Sequence, residues 1–135
     1  MTLQWSSDLE IGIPVIDSQH HRIVEYINKV DHAHQHHSMV EVLSVLDELV
    51  DYTLSHFAFE ETLIEEADYP FVKAHKKVHS LFTKRVAGYQ QRANAGEDVT
   101  EELLHTLKAW LVNHIKHDDR DYAGDVKANM NAATK

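Results

Sequence analysis

Four stretches of this sequence carry a stripe of mostly apolar residues at intervals of three and four, and every stripe includes at least one histidine. The first is Ile16, His20, Ile23, Ile27 and Val30, and the second is Val42, Leu46, Leu49, Thr53, His56 and Glu60. The third is Phe71, His75, His79, Phe82, Val86 and Tyr89, and the fourth is Leu104, Leu107, Leu111 and His114. This spacing keeps side chains on one face of an α-helix, so each stretch reads as a helix that must bury that face against others. No segment sustains the period of two that a half-buried strand requires. Punctuation sets the boundaries. Pro14 pushes its predecessor towards an extended conformation, and Asp17 or Ser18 supplies a first cap. Ser38-Met39-Val40-Glu41 and Asp98-Val99-Thr100-Glu101 have the form of capping boxes, Pro70 suits a first turn, and Asn94-Ala95-Gly96 suits a helix end. The expected organisation is all-α, an antiparallel up-down four-helix bundle in one domain. It comprises an extended arm over residues 1–16, helices at about 17–34, 39–65, 70–94 and 99–118, and a short C-terminal tail over 119–135.

Histidine is expensive in such a core unless it has a partner. Antiparallel packing puts His20, near the start of the first helix, level with His56 and Glu60, near the end of the second. It likewise puts His75 and His79 level with His114. Five imidazoles and a carboxylate therefore converge at one end of the bundle, and coordination to metal removes the objection to burying them. The chain has no cysteine, so a metal must be held by nitrogen and oxygen donors, a set suited to iron, zinc or manganese. In the fourth helix two acidic residues compete: Asp118 lies four residues beyond His114 and Asp119 five, and strict helical spacing favours Asp118. His32, His34, His36 and His37 crowd the first inter-helix loop, at the opposite end of the bundle, and read as solvated. His21, His105 and His117 fall off the inner stripes.

A net charge of -9 with scattered basic residues argues against nucleic acid as a partner. The N-terminal residues lack a basic stretch followed by an apolar one, and no apolar run approaches the roughly 20 residues that span a bilayer. The expectation is a cytoplasmic protein without a membrane segment.

Taken together, His20, His56 with Glu60, His75 with His79, and His114 followed five residues later by Asp119 resemble the ligand signature of the hemerythrin family. The likeness runs from Trp5 to about Tyr122, through the arm with Gly12, the Asp17-Ser18-Gln19-His20 motif and the Trp110–Ile115 segment. The resemblance implies that His20 rather than His21, and Asp119 rather than Asp118, are ligands of two iron ions bridged by Glu60, Asp119 and an oxo or hydroxo group. His75, His79 and His114 would complete one iron, and His20 and His56 would hold the other, leaving it a vacant position for dioxygen. Leu111, Ile115 and Trp110 resemble the apolar residues of the family's oxygen pocket, and Tyr122 would bring a hydroxyl near Asp119. The implied function is reversible dioxygen binding for storage, delivery or buffering, without enzymatic turnover, by a monomer whose recipient would be an oxygen-consuming protein. One alternative is an oxygen or redox sensor acting through a separate partner, because this length leaves no room for an attached transducing segment. The other is a di-iron enzyme acting on peroxide or nitric oxide. Against it, five imidazoles and two carboxylates offer fewer anionic donors than the carboxylate-rich sites of di-iron oxygenases.

Overall fold

The computed structural model describes residues 3–36 and 38–133, so His37 of the loop cluster lies outside the described residues. A 3-10 turn, Ser7–Leu9, precedes α1 (Pro14–Gln35), α2 (Met39–Glu66), α3 (Val72–Asn94) and α4 (Thr100–Asn113). A π-helical segment, His114–Asp119, then leads without a break into α5 (Arg120–Ala133). Among the described residues there is no strand, and no helix is long and apolar enough to cross a membrane.

Helix starts differ from the sequence expectation for local reasons. α1 begins at Pro14, whose fixed φ and missing N–H suit the first helical position, with Ile13 extended as its N-cap. Neither Asp17 nor Ser18 caps it. The Asp17 carboxylate instead accepts hydrogen bonds from the backbone N–H groups of Ile11, at 2.8 Å, and Gly12, at 3.1 Å. That pair fastens the arm to the helix, and the turn needs the left-handed φ of +85° that Gly12 supplies. Leu9, Ile11 and Ile13 are buried, so the arm is part of the core. At Ser38 half of a capping box forms: its hydroxyl accepts from the Glu41 N–H at 3.3 Å. The second box does not. Asp98 accepts from the Thr100 N–H at 3.2 Å, and α4 starts one residue late with Val99 as its N-cap. α3 starts at Val72 rather than Pro70. Phe71 precedes it in a non-helical conformation, so helical phase does not govern its side chain, which leaves the predicted stripe and is 63% exposed.

The remaining stripe residues behave as their spacing predicts. All are buried except Thr53, which is half-buried. α1 packs on α2 and α4, and α2 on α3, the ring of an up-down bundle. Each fully buried Ile or Leu contributes about 1.5–3 kcal/mol, which offsets the cost of the polar cluster at one end. The expected tail over 119–135 needs correction, because residues 120–133 are helical. Tyr122, Ala123 and Val126 extend the buried stripe, and the Arg120 guanidinium donates to the carbonyls of Asp8, at 2.7 Å, and Glu10, at 3.2 Å. Apolar burial and the arm together hold α5 in place. At the far end of the bundle His32 and His36 are exposed, their rings edge to face at 4.2 Å, and His34 faces Glu101. His21, His105 and His117 are exposed as well.

Candidate metal centre

Near the other end of the bundle α1 contributes His20, α2 His56 and Glu60, α3 His75 and His79, and the π-helical segment His114 and Asp119. All seven side chains are buried, with Glu60 and Asp119 at 0% exposure. Asp119 gets there because the π segment widens the turn, so that a residue five beyond His114 returns to the inner face. Asp118, the choice of strict spacing, turns back instead and places a carboxylate oxygen 2.7 Å from His114 Nδ1.

The two carboxylates straddle the cluster. Glu60 Oε1 lies 2.6 Å from His75 Nε2, 3.0 Å from His79 Nε2 and 3.9 Å from His114 Nε2. Glu60 Oε2 faces the other way, 3.1 Å from His56 Nε2 and 3.7 Å from His20 Nε2. Asp119 divides likewise, with Oδ1 at 3.2 and 3.1 Å from His75 and His114, and Oδ2 at 3.0 Å from His20. A three-histidine side and a two-histidine side thus share both carboxylates. The donor atoms of Glu60, His75, His79, His114 and Asp119 all lie within 4.8 Å of one another, and those of His20, His56 and Glu60 form a second such group.

An outer ring orients these imidazoles. Gln19 Oε1 lies 2.6 Å from His56 Nδ1, and Glu61 Oε2 lies 3.2 Å from His79 Nδ1, as Asp118 does for His114. Phe57 stacks on the His79 ring at 3.8 Å, and Trp110 on the His114 ring at 4.3 Å. Sequence reasoning named Gln19 only within a motif and missed its contact with His56, and it missed Glu61 and Phe57, although each of the three is the immediate chain neighbour of a ligand-type residue. A polar or aromatic residue one step from such a position is about 100° round the helix, turned towards the adjacent helix, and that was the available signal.

Burial and neighbouring charge pull against each other throughout the cluster. Burial opposes the charged form of every group here, yet the close carboxylates of Asp119 and Glu60 prevail at His20 and His75 and push both up to about 9. His114 is raised as well: burial is outweighed by the Asp119 charge and the bond to Asp118. At His56 burial wins and the shift is downwards. Glu60 and Asp119 are held below the usual carboxylate range, because the surrounding imidazoles overcome burial. Several atoms have no hydrogen-bond partner among the described residues: His20 Nε2, Glu60 Oε2, both Asp119 oxygens and the Tyr122 hydroxyl. Buried polar atoms are seldom left so. The His20, Glu60 and Asp119 atoms among them belong to the two close-set donor groups, which fits an imidazole and carboxylate shell for metal ions.

A cavity of about 10 Å³ adjoins His20, His56 and His114, at the lower bound for holding one water. Trp110, Leu111, Phe57 and Leu107 belong to its wall. Ile115 does not. It is fully buried, but one residue past His114 its side chain leaves on another face of the helix.

The sequence profile described as the hemerythrin HHE cation binding domain matches residues 11–126. A bacteriohemerythrin of Stenotrophomonas maltophilia is 55% identical over 129 residues, covering 96% of this chain and 84% of that protein. One from Pseudomonas aeruginosa is 53% identical over 133 residues, covering 98% and 87%. A wild-type hemerythrin crystal structure superposes with a TM-score of 0.89 at 28% identity, covering 93% of this chain and 98% of that one. With the buried histidine and carboxylate cluster, the bundle around it and the matched span in agreement, the chain belongs to the hemerythrin family.

Proposed function

We propose that this protein binds dioxygen reversibly at a pair of iron ions held by His20, His56, Glu60, His75, His79, His114 and Asp119, in storage, delivery or buffering. The observation that carries the reading is the division of the carboxylates: one oxygen of Glu60 and one of Asp119 face three imidazoles, and the other oxygen of each faces the two-histidine side. Three histidines and two carboxylate oxygens would hold one metal, whereas the two-histidine side offers one donor fewer and adjoins the apolar cavity. Bound there, ferrous iron would supply the electrons that dioxygen takes up and recover them when it leaves.

The protein's part is orientation and exclusion of water. Gln19, Glu61 and Asp118 fix ring orientation at His56, His79 and His114, a contribution that commonly changes metal affinity by about 10–100-fold. Leu111 and Trp110 wall the cavity with apolar surface. Tyr122 keeps its proton, since burial and then the charges of Glu60 and Asp119 oppose its ionisation, and it remains a donor inside the site.

The test is spectroscopic. Iron-loaded protein, reduced without oxygen and then exposed to it, should gain a visible absorption that disappears under argon and returns on re-exposure. Irreversible oxidation accompanied by turnover of added peroxide would replace this reading with an enzymatic one. Leu111→Ala should accelerate loss of the oxygenated form about tenfold, because the enlarged cavity admits water to a site that works dry. Unchanged decay of that species in a folded variant would remove Leu111 from the pocket.

A further inference from the structure

On the three-histidine side a surface cleft of about 270 Å³ reaches the centre, walled by Tyr69, Phe71, Ala74, His75, Asp118 and Asp121. His75 is only 4% exposed, yet it forms part of this wall. Its Nε2 faces Glu60 and Asp119, while Nδ1 of His56, His79 and His114 is engaged by Gln19, Glu61 and Asp118 and Nδ1 of His20 is buried without a partner among the described residues. Asp118 joins the cleft to the centre through its contact with His114 Nδ1, and Asp121 is exposed at the mouth.

Two carboxylates, those of Asp118 and Asp121, line the cleft. Burial first, and then the charges of Asp121, Asp125, Asp118 and Asp119, push the Tyr69 hydroxyl above its ordinary value. The cavity on the opposite side offers the contrary environment, about 10 Å³ walled by apolar and aromatic side chains around the histidines. A dication crossing that wall would shed its water with nothing to replace it. In the cleft it would exchange water for carboxylate oxygen and then for imidazole.

We infer that this cleft admits divalent metal to the buried centre, with Asp121 attracting the ion at the mouth, Asp118 receiving it inside and His75 lining the inner end of the path. The inference rests on the seven side chains being a metal site and is independent of dioxygen binding.

Cobalt(II) is a suitable probe, because its visible absorption reports arrival among imidazole donors. Full-length protein stripped by a chelator, and checked for helix content by circular dichroism, is mixed with the ion in a stopped-flow instrument. Asp121→Lys should lower the uptake rate constant about tenfold at low ionic strength, and the difference should shrink in salt. Ala74→Trp, which narrows the cleft, should slow uptake at every salt concentration. Both should reach the parent's final cobalt stoichiometry and spectrum. Glu101→Lys makes the same charge change at the far end of the bundle, on a side chain 90% exposed, and should leave the rate within about twofold. Equal slowing by Asp121→Lys and Glu101→Lys would reduce the effect to net charge and overturn the route. So would parental uptake by a folded Ala74→Trp variant, or a lower final stoichiometry in either cleft variant, which would mean that the residue holds metal rather than admits it. Failure of the parent to take up cobalt would overturn the metal reading and the route with it.

Discussion

Asp119→Ala should leave purified protein with about one iron per chain or none, whereas Asp118→Ala should retain two when iron is saturating. The two residues are adjacent, but their surroundings differ. Asp119 is fully buried and places one oxygen beside His75 and His114 and the other beside His20. Its removal takes a donor from both sides of the centre at once and strips three buried imidazoles of a counter-charge. Asp118 touches only the outer nitrogen of His114, and its side chain is 41% exposed. Its loss should loosen one ring and weaken binding by about 10–100-fold without removing a ligand. Iron per chain, measured after equilibration and desalting, separates the two cases. Equal retention of two irons by Asp119→Ala would refute the assignment.

That contrast also marks where the sequence was legible and where it was not. The stripes of α1 and α2, and of α3 from His75 onwards, follow directly from helical spacing, because a buried face of four-and-three steps has one helical solution. Phe71 was misplaced for the same reason: a stripe extrapolated one residue beyond the helix has no phase to inherit. Caps were less legible. Ser38 caps α2 with half of the expected box, but Asp17 satisfies backbone donors of the arm and Asp98 reaches the first N–H of α4 rather than that of Glu101, and local spacing does not distinguish these uses.

The π segment was the largest omission. The expected boundaries end the fourth helix at 118 and give residues 119–135 to a tail. Yet the inward residues Leu104, Leu107, Leu111, His114, Asp119, Tyr122 and Val126 step by three, four, three, five, three and four. One five-residue step inside an otherwise helical stripe is the trace of a single widened turn. It becomes legible only when Tyr122 and Val126 are recognised as core, because Asp119 alone gives no reason to prefer five over four. On the proposed ligand set, coordination and the packing of α5 are two demands on the same extra residue. Metal at Asp119 and apolar burial beyond it both favour the π conformation, whose own hydrogen-bonding geometry is rare.

Removing the metals should invert the protein's response to alkali. Without cations, the folded state holds protons on His20 and His75 up to about 9, against an ordinary value of 6.5. A group whose folded value is raised contributes stability that is complete below its unfolded value and is lost as the pH climbs through the folded one. The loss therefore spans pH 6.5 to 9. One imidazole moved that far is worth about 3 kcal/mol. The two contributions do not simply add, since both rings draw on Glu60 and Asp119. The carboxylates act at the other end, because their lowered values contribute stability above the ordinary carboxylate range that disappears as the pH falls through it. Metal-free protein should accordingly have its highest thermal midpoint between about pH 5 and 6.5, and a midpoint about 10 °C lower by pH 9.5. Loaded protein should behave in the opposite sense across the same interval. Metal needs neutral imidazoles, so binding at neutral pH expels protons, and apparent affinity rises as proton competition fades. The gap between loaded and metal-free midpoints should widen steadily from pH 6.5 to 9 when both are followed by circular dichroism without oxygen. A metal-free midpoint that stays level or rises over that range would show that His20 and His75 are not held as imidazolium by Glu60 and Asp119.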